Sequence, residues 1–204
     1  MKKDQVLDDR LLMVFVKNPD LGKVKTRLAA TVGDEKALEV YKRLLAHTRD
    51  ISLSVKAKRA VYYHERIAED DLWTHDDFQK HLQLGGSLGE KMLDAFKNAF
   101  EGEYQKVIII GSDCIEINAE IINYAFNSLD TNDTVVGPAQ DGGYYLLGMQ
   151  KLHPMLFCNK GWSKKDVLLD TVCDLKNEGL SFELLDTLSD VDVESDLQTA
   201  GLQL

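Results

Sequence analysis

Short apolar runs alternate with amphipathic helical patterns along this sequence, and that alternation restricts its fold more than any other feature. The run Leu11–Val16 is apolar without interruption, which is typical of a strand covered on both faces. Because helical patterns separate most of the runs, we expect a mostly parallel sheet with helices on both faces. The predicted strands are Leu11–Val16, Ala60–Tyr63, Val107–Ile110, Thr134–Val136, Tyr144–Leu147 and Ser181–Leu185.

Helix signals lie between most of these runs. An apolar stripe extends from Glu35 to about Thr48, and Asn118 is the predicted N-cap of a later helix. Ser163 and Asp166 resemble a capping pair at the start of another helix. Each of these patterns places a helix between two predicted strands, as a parallel sheet requires.

Two parts of the chain depart from the alternation. The runs beginning at Thr134 and Tyr144 have no helix between them, so we expect them to add an antiparallel element. The segment 65–84 is polar and irregular and has no clear secondary-structure signal. Three glycines then surround the start of an amphipathic helix: Gly85, Gly86 and Gly89.

Length and composition favour one domain spanning residues 1–204, because a chain of 204 residues can enclose a single core and contains no linker-like segment. The net charge of -10, from 34 acidic and 24 basic residues, disfavours nucleic acids and anionic membranes as partners. Three cysteines without paired spacing favour reduced thiols. With no signal-peptide pattern and no apolar run of membrane-spanning length, we expect a cytoplasmic protein.

A basic loop follows the first predicted strand. Gly22 would let the backbone approach a ligand closely, and cations with a nearby helix start favour phosphate. This is not a Walker A loop, because Val24 stands where Ser or Thr is needed. A solvated basic loop is the alternative, but four cations in so acidic a chain favour a functional loop that binds an anionic, phosphate-bearing ligand. The cations are Lys17, Lys23, Lys25 and Arg27.

Asp113 follows the buried run Val107–Ile110 in the sequence Gly-Ser-Asp. A carboxylate at the end of a strand can bind Mg²⁺ or Mn²⁺ through hard oxygen atoms, and capping of a turn is its alternative role. Acidic residues near the C-terminus would complete a metal site with Asp113, unless they are surface charges or, for Asp196, a helix cap. They are Asp190, Asp192 and Asp196.

Asp141 precedes two glycines, and it could orient or deprotonate an acceptor hydroxyl. The same sequence is also an ordinary turn. In open α/β sheets ligands bind beyond the carboxyl ends of the strands. We therefore expect the Gly22 loop, Asp113 and the C-terminal acidic residues to lie on one edge of the sheet.

Taken in order, several motifs resemble the bacterial family DUF2064, also called "transferase 1, radical-SAM/selenodomain-associated". The resemblance extends from Phe15 to Leu197 and implies the nucleotide-diphospho-sugar transferase superfamily. It also implies a GT-A-like (Rossmann-like) fold, a three-layer α/β/α domain with a mostly parallel mixed sheet. The motifs are Gly22-Lys23-Val24-Lys25-Thr26-Arg27-Leu28, Leu88-Gly89-Glu90-Lys91-Met92, Gly111-Ser112-Asp113-Cys114, Asp141-Gly142-Gly143-Tyr144, Trp162-Ser163 and Asp190-Val191-Asp192.

The resemblance also implies roles for individual residues. Asp113 and Asp192 would bind the metal ion, and Asp141 would lie on the acceptor side. Lys25 and Arg27 would in addition offset charge on the leaving group. The residues expected to contact the nucleotide, with Gly85 to Gly89 near its base, are Lys17, Gly22, Lys23, Lys25, Arg27, Gly85, Gly86 and Gly89. Three positions depart from the family pattern, namely Ile115 for proline, Lys164 for threonine and Lys91 for arginine.

These features predict a metal-dependent transferase that uses a nucleotide-linked donor and a small-molecule acceptor. The family's usual name points to glycosyl transfer from a nucleotide-sugar. Nucleotidyl transfer from a nucleoside triphosphate with release of pyrophosphate would use the same residues. A non-catalytic nucleotide-binding relative is the third possibility, because a fold does not determine a reaction.

Overall fold

The computed structural model describes residues 9–162 and 164–202, which form a seven-stranded sheet with helices on both faces. The strands are β1 (Arg10–Val16), β2 (Lys58–Tyr63), β3 (Gln79–Leu82), β4 (Lys106–Ile110), β5 (Thr134–Pro138), β6 (Tyr144–Met149) and β7 (Phe182–Leu184). The helices are α1 (Thr26–Val32), α2 (Asp34–Leu53), α3 (Leu88–Glu101), α4 (Ala119–Ser128), α5 (Val167–Asn177) and α6 (Glu194–Thr199), with a 3₁₀ turn at Pro154–Phe157.

Strand direction brings the ends of distant strands to one edge of the sheet. The strand order is β3-β2-β1-β4-β6-β5-β7. The first four strands in this order pair in parallel, β7 is parallel to β5, and β6 is antiparallel to both of its neighbours. The prediction of a mostly parallel sheet with an antiparallel element at Thr134 and Tyr144 is therefore confirmed.

Alternate side chains of β1 enter the two layers of core that cover the sheet. Leu12 and Val14 join one apolar cluster, which contains residues of α2 and α4. Leu11 and Met13 join the other, which contains residues of α3 and α5. Since a strand side chain points to opposite faces at successive positions, this division confirms the predicted three-layer α/β/α arrangement.

Several boundaries differ from the sequence predictions. Helix α1 begins before the predicted start at Glu35, and Gly33, with a φ of +88°, separates it from α2. The polar segment 65–84 contains β3, which pairs with β2. Asn118 caps α4 as predicted, accepting a hydrogen bond from the backbone N–H of Ile121 at 3.0 Å. Asp166 stands at the N-cap of α5 without a side-chain capping bond, and Ser163 lies outside the described residues.

Within the part of the chain that the structure describes, no helix is both long and apolar enough to cross a membrane.

Candidate functional site

The loop between β1 and α1 turns sharply at two left-handed residues. Gly22 has a φ of +73°, and Lys25 has a φ of +48° although it is not glycine. Non-glycine residues adopt this conformation infrequently, and when they do they often belong to functional sites. Here the turn directs the Lys25 side chain inward, so that only 4% of it is exposed.

Contacts with the segment after β2 hold this loop in place. The side-chain amide of Asn18 donates to the carbonyl oxygen of Arg66 at 2.8 Å and accepts from the N–H of Glu65 at 3.0 Å. The Arg66 guanidinium in turn donates two hydrogen bonds to the Asp20 carboxylate, at 2.6 and 2.8 Å. The loop is therefore attached to the neighbouring strand end through both backbone and side chains.

Tyr41 of α2 connects this loop to the end of β4. Its hydroxyl accepts from the backbone N–H of Lys17 at 2.8 Å, donates to the Lys17 carbonyl oxygen at 3.1 Å and lies 3.3 Å from Ser112 Oγ. Ser112 is buried and directly precedes Asp113. The sequence marked Tyr41 only as a member of an apolar helix stripe. The signal that identifies it is physical, because a buried tyrosine hydroxyl requires hydrogen-bond partners.

We expect Tyr41→Phe to lower the free energy of unfolding by about 1–3 kcal/mol, because the groups at Lys17 and Ser112 lose their partner inside the protein. Urea denaturation measures the change. Tyr62→Phe is the matched control, since Tyr62 is equally buried but its hydroxyl makes no hydrogen bond with any described residue. Equal losses for both variants would contradict a special role of the Tyr41 hydroxyl.

The Lys25 ammonium lies between two carboxylates at the edge of the sheet. Lys25 Nζ is 3.0 Å from Asp113 Oδ1 and 3.1 Å from Asp192 Oδ1. Arg27 Nη1 lies 3.4 Å from the second oxygen of Asp192, although the Arg27 side chain is 73% exposed. Three segments that are distant in the sequence thus meet at one point, as the strand directions predict.

Packing of Val191 orients the carboxylates on either side of it. The Val191 N–H donates to the carbonyl oxygen of Asp113 at 3.0 Å, and its side chain is buried in a cluster that contains Leu28 and Val40. Asp192, next to this buried residue, directs its carboxylate toward Lys25. The Asp196 carboxylate accepts hydrogen bonds from the N–H groups of residues 192 and 193, so Asp196 has a capping role at α6.

Two adjacent cavities open at this edge. The first, which we call the Lys25 cavity, is lined by Lys17, Val24, Lys25, Thr26, Arg27, Tyr41, Asp113 and Asp192. The second, the Asp190 cavity, shares Arg27 and Asp192 with the first and also contacts Asp141 and Asp190. Burial, together with the negative charges of Asp113 and Asp141, raises the pKa of Asp190 to about 7.

Two carboxylates in the Lys25 cavity offer oxygen ligands that suit Mg²⁺ or Mn²⁺. Asp113 and Asp192 direct one oxygen each at the same point and are 43% and 39% exposed. Among residues 9–162 and 164–202, no three acidic, histidine or cysteine side chains converge to hold a metal ion. Two carboxylates nevertheless fit a magnesium ion that takes its remaining ligands from water and substrate phosphates.

Some predicted site residues lie outside both cavities. Lys23 points toward Glu65, with Nζ 3.1 Å from its carboxylate. The N–H of Gly86 donates to the carboxylate of Glu90 at 3.1 Å. Gly85 lies between β3 and α3, and Gly89 lies in the first turn of α3. Contact of these glycines with a nucleotide base stays a prediction.

Packing accounts for the glycine at position 89. A Cβ added there would lie 2.4 Å from Trp162 Nε1. We expect Gly89→Ala to displace the indole and to lower the free energy of unfolding by about 1–3 kcal/mol. Urea unfolding followed by tryptophan fluorescence measures both effects, and Gly111→Ala is the control, because a Cβ at Gly111 meets nothing within 4 Å. An unchanged emission spectrum would contradict the displacement.

The three departures from the family pattern leave the carboxylates in place. Ile115 packs against the cluster that buries Val191. Lys91 Nζ lies 3.2 Å from His64 Nδ1. The Lys164 side chain packs against Gly161.

The sheet order, the covered faces and the site beyond the parallel strand ends define an α/β protein with the nucleotide-diphospho-sugar transferase fold. The chain belongs to the family described as "Uncharacterized protein conserved in bacteria (DUF2064)", which matches residues 44–164. That match includes Asp113 and Asp141 and excludes the Gly22 loop and Asp192.

Solved structures extend the comparison to nearly the whole chain. One of them is a protein from Desulfovibrio desulfuricans G20 that is named, provisionally, a nucleotide-diphospho-sugar transferase. It is 32% identical in sequence, with a TM-score of 0.85, and the match covers 92% of this chain and 84% of that one. The inositol-1-phosphate CTP transferase from T. maritima is 14% identical, with a TM-score of 0.58 and coverage of 95% and 94%. The 4-diphosphocytidyl-2C-methyl-D-erythritol synthase from Anaerococcus prevotii DSM 20548 is 10% identical, with a TM-score of 0.61 and coverage of 95% and 94%. The last two likenesses concern the fold alone. Comparison with curated proteins finds no match.

Proposed function

We propose that this protein is a metal-dependent transferase that takes its donor, a nucleotide-linked compound, in the Lys25 cavity. The observation that carries the proposal is the position of Lys25 Nζ, within 3.1 Å of both Asp113 and Asp192. A cation and two carboxylates at the carboxyl ends of parallel strands are the groups that a metal-bound diphosphate requires. The 32% identical relative, named provisionally as a nucleotide-diphospho-sugar transferase, supports the same class.

Asp113 and Asp192 would hold Mg²⁺ or Mn²⁺, which when bound supplies positive charge that polarises the phosphate oxygens. Lys17, Lys25 and Arg27 line the same cavity and would bind the donor's phosphates. Lys25 and Arg27 would also offset the negative charge that develops on the leaving phosphate. Arg27 is exposed enough to turn toward a ligand, since 73% of its side chain is accessible.

Glycosyl transfer is the reaction that we favour. An acceptor hydroxyl oxygen would form a bond to the anomeric carbon as the bond from that carbon to the phosphate oxygen breaks. The nucleoside diphosphate leaves with the bonding electrons, and the hydroxyl proton passes to a carboxylate. Asp141 is the candidate for that carboxylate, because it lines the adjoining Asp190 cavity.

Nucleotidyl transfer is the second candidate. In that reaction an acceptor phosphate oxygen attacks the α-phosphorus of a nucleoside triphosphate, and pyrophosphate leaves. The basic groups of the Lys25 cavity favour it, because a triphosphate carries more negative charge than a diphospho-sugar. Two proteins of this fold are named as a CTP transferase and as a synthetase complexed with CTP.

A thermal-shift panel of nucleoside triphosphates and nucleotide-sugars, with and without Mg²⁺ or Mn²⁺, tests the proposal. A ligand at 100 times its Kd should stabilise the protein by about 2.7 kcal/mol. Stabilisation by a nucleotide-sugar alone favours glycosyl transfer, and stabilisation by a triphosphate alone favours nucleotidyl transfer. Ligand affinity without turnover would indicate a non-catalytic binding protein. If no nucleotide shifts the melting temperature of the wild type, and the melting temperatures of Asp113→Asn are the same as those of the wild type, the proposed function is wrong.

A further inference from the structure

The Asp190 cavity is placed to receive the second substrate of the proposed reaction. It has a volume of about 320 Å³, at the lower end of the range for small-molecule sites. Because Arg27 and Asp192 line both cavities, a molecule bound here would lie beside a donor in the Lys25 cavity. Residues from the turn after β4, the β5–β6 turn and the segment after β7 form its walls.

The charge of this cavity is strongly one-sided. Arg27 is the cation of its lining, and five lining residues carry carboxyl groups. An acceptor phosphate placed among them would be repelled at short range, whereas a hydroxyl or ammonium group would find acceptors for its hydrogens. The five acidic residues are Glu116, Asp141, Asp190, Asp192 and Asp196.

Asp190 differs from the neighbouring acidic residues because, among the described residues, no group donates a hydrogen bond to its carboxylate. Glu116 accepts a hydrogen bond from the N–H of Ser189 at 2.7 Å, and Asp141 accepts one from the N–H of Gly143 at 2.9 Å. Asp190 is partly buried, yet it accepts no hydrogen bond from the residues that the structure describes. A partly buried carboxylate without such a partner is suited to accept a hydrogen bond from a ligand.

We infer that the Asp190 cavity is the acceptor site of the proposed transferase and that it takes a polyhydroxylated acceptor that is neutral or cationic and carries no phosphate. Asp190 would accept a hydrogen bond from an acceptor hydroxyl or ammonium group. This assignment rests on the proposed function, and it favours transfer to a hydroxyl over transfer to a phosphate. The charge preference of the cavity can be measured by ligand binding alone, without glycosyl or nucleotidyl transfer.

Three probes of similar shape and different charge test the assignment: glucose, glucosamine and glucose 6-phosphate. Each is titrated into ¹⁵N-labelled protein at pH 7.5 with Mg²⁺, and the amide resonances of Ile115, Gln140 and Val193 report on the cavity. We expect glucosamine and glucose to shift these resonances and glucose 6-phosphate to bind at least about fivefold more weakly than glucosamine, because of its charge. Tighter binding of glucose 6-phosphate, or no response to any of the three, would overturn the assignment.

A pair of variants distinguishes the effect of a charge inside the Asp190 cavity from the effect of the protein's overall charge. Asp190→Asn should narrow the preference for glucosamine over glucose 6-phosphate by about threefold, since it removes one carboxylate within the cavity. Asp186→Asn removes the same charge from a residue that lines a separate groove, and it should leave the preference unchanged. Nucleoside triphosphates and nucleotide-sugars added to the same samples are followed at Val24 and Thr26. If none of these nucleotides binds, the proposed function is wrong, whatever the result with the three sugar probes.

Discussion

Replacing Lys25 with methionine is expected to raise the affinity of the free protein for Mn²⁺ by about 30-fold. A metal ion held by Asp113 and Asp192 and the ammonium of Lys25 would compete for the same point, because Nζ lies 3.0 and 3.1 Å from the two carboxylates. Removal of a unit charge a few ångströms from a divalent ion changes its binding by on the order of 2 kcal/mol. Methionine has a side chain of similar length without the charge. Electron paramagnetic resonance of free Mn²⁺ measures the affinity without any substrate.

The same substitution should remove turnover, since the donor phosphates lose a cation. In the wild type we therefore expect the metal to bind tightly only with nucleotide, when the phosphates attract Lys25 away from the carboxylates. The double variant Lys25→Met/Asp113→Asn is the control and should lose the gained affinity. If Lys25→Met binds Mn²⁺ no better than the wild type, Lys25 and the metal do not compete for Asp113 and Asp192.

Asp113→Asn is expected to lower kcat/KM for the donor identified in the thermal-shift panel by about a thousandfold, which corresponds to ~4 kcal/mol of lost transition-state stabilisation. The amide keeps the size of the side chain but cannot supply an anionic oxygen to Mg²⁺. We also expect the dependence of nucleotide binding on Mg²⁺ to disappear. Release of nucleoside diphosphate or pyrophosphate measures turnover, and thermal shift measures binding.

Asp70→Asn is the matched control for this variant, because Asp70 is an exposed residue between β2 and β3. It should retain wild-type turnover and Mg²⁺ dependence. Retention of full activity by Asp113→Asn would exclude Asp113 as a ligand that catalysis needs. A loss of activity together with a large loss of stability would instead place Asp113 among residues that support the fold, and circular dichroism distinguishes these outcomes.

Sequence pattern predicted the central strands well because burial on both faces leaves a strong apolar signal. The run Val107–Ile110 lies within β4, and all four of its residues are buried. β3 could not be predicted in this way, since Gln79–Leu82 contains polar side chains and has no buried residue. It forms because the edge of β2 offers backbone partners, and such pairing depends on tertiary structure.

The candidate site was predictable in its location and less so in its contacts. Lys25 and Asp192 belong to segments that follow different strands, and parallel strand direction was enough to place these segments on one edge. Their ion pair joins positions 167 residues apart, which no local pattern reports. The role of Gly89 was also hidden, because its packing partner Trp162 comes from a distant loop.

The hydrogen bond between Val191 and Asp113 has a consequence for how the protein folds during its synthesis. Strands β1 to β4 can pair soon after residue 110 is made, because their partners are already present. The carboxylate that faces Lys25 from the other side arrives about eighty residues later, with the segment that Val191 anchors. At translation rates of roughly 5–20 residues per second, a nascent chain would spend several seconds with Lys25 facing Asp113 alone. Nucleotide affinity is thus expected to appear only after the segment with Val191 and Asp192 has docked, and it would report that docking.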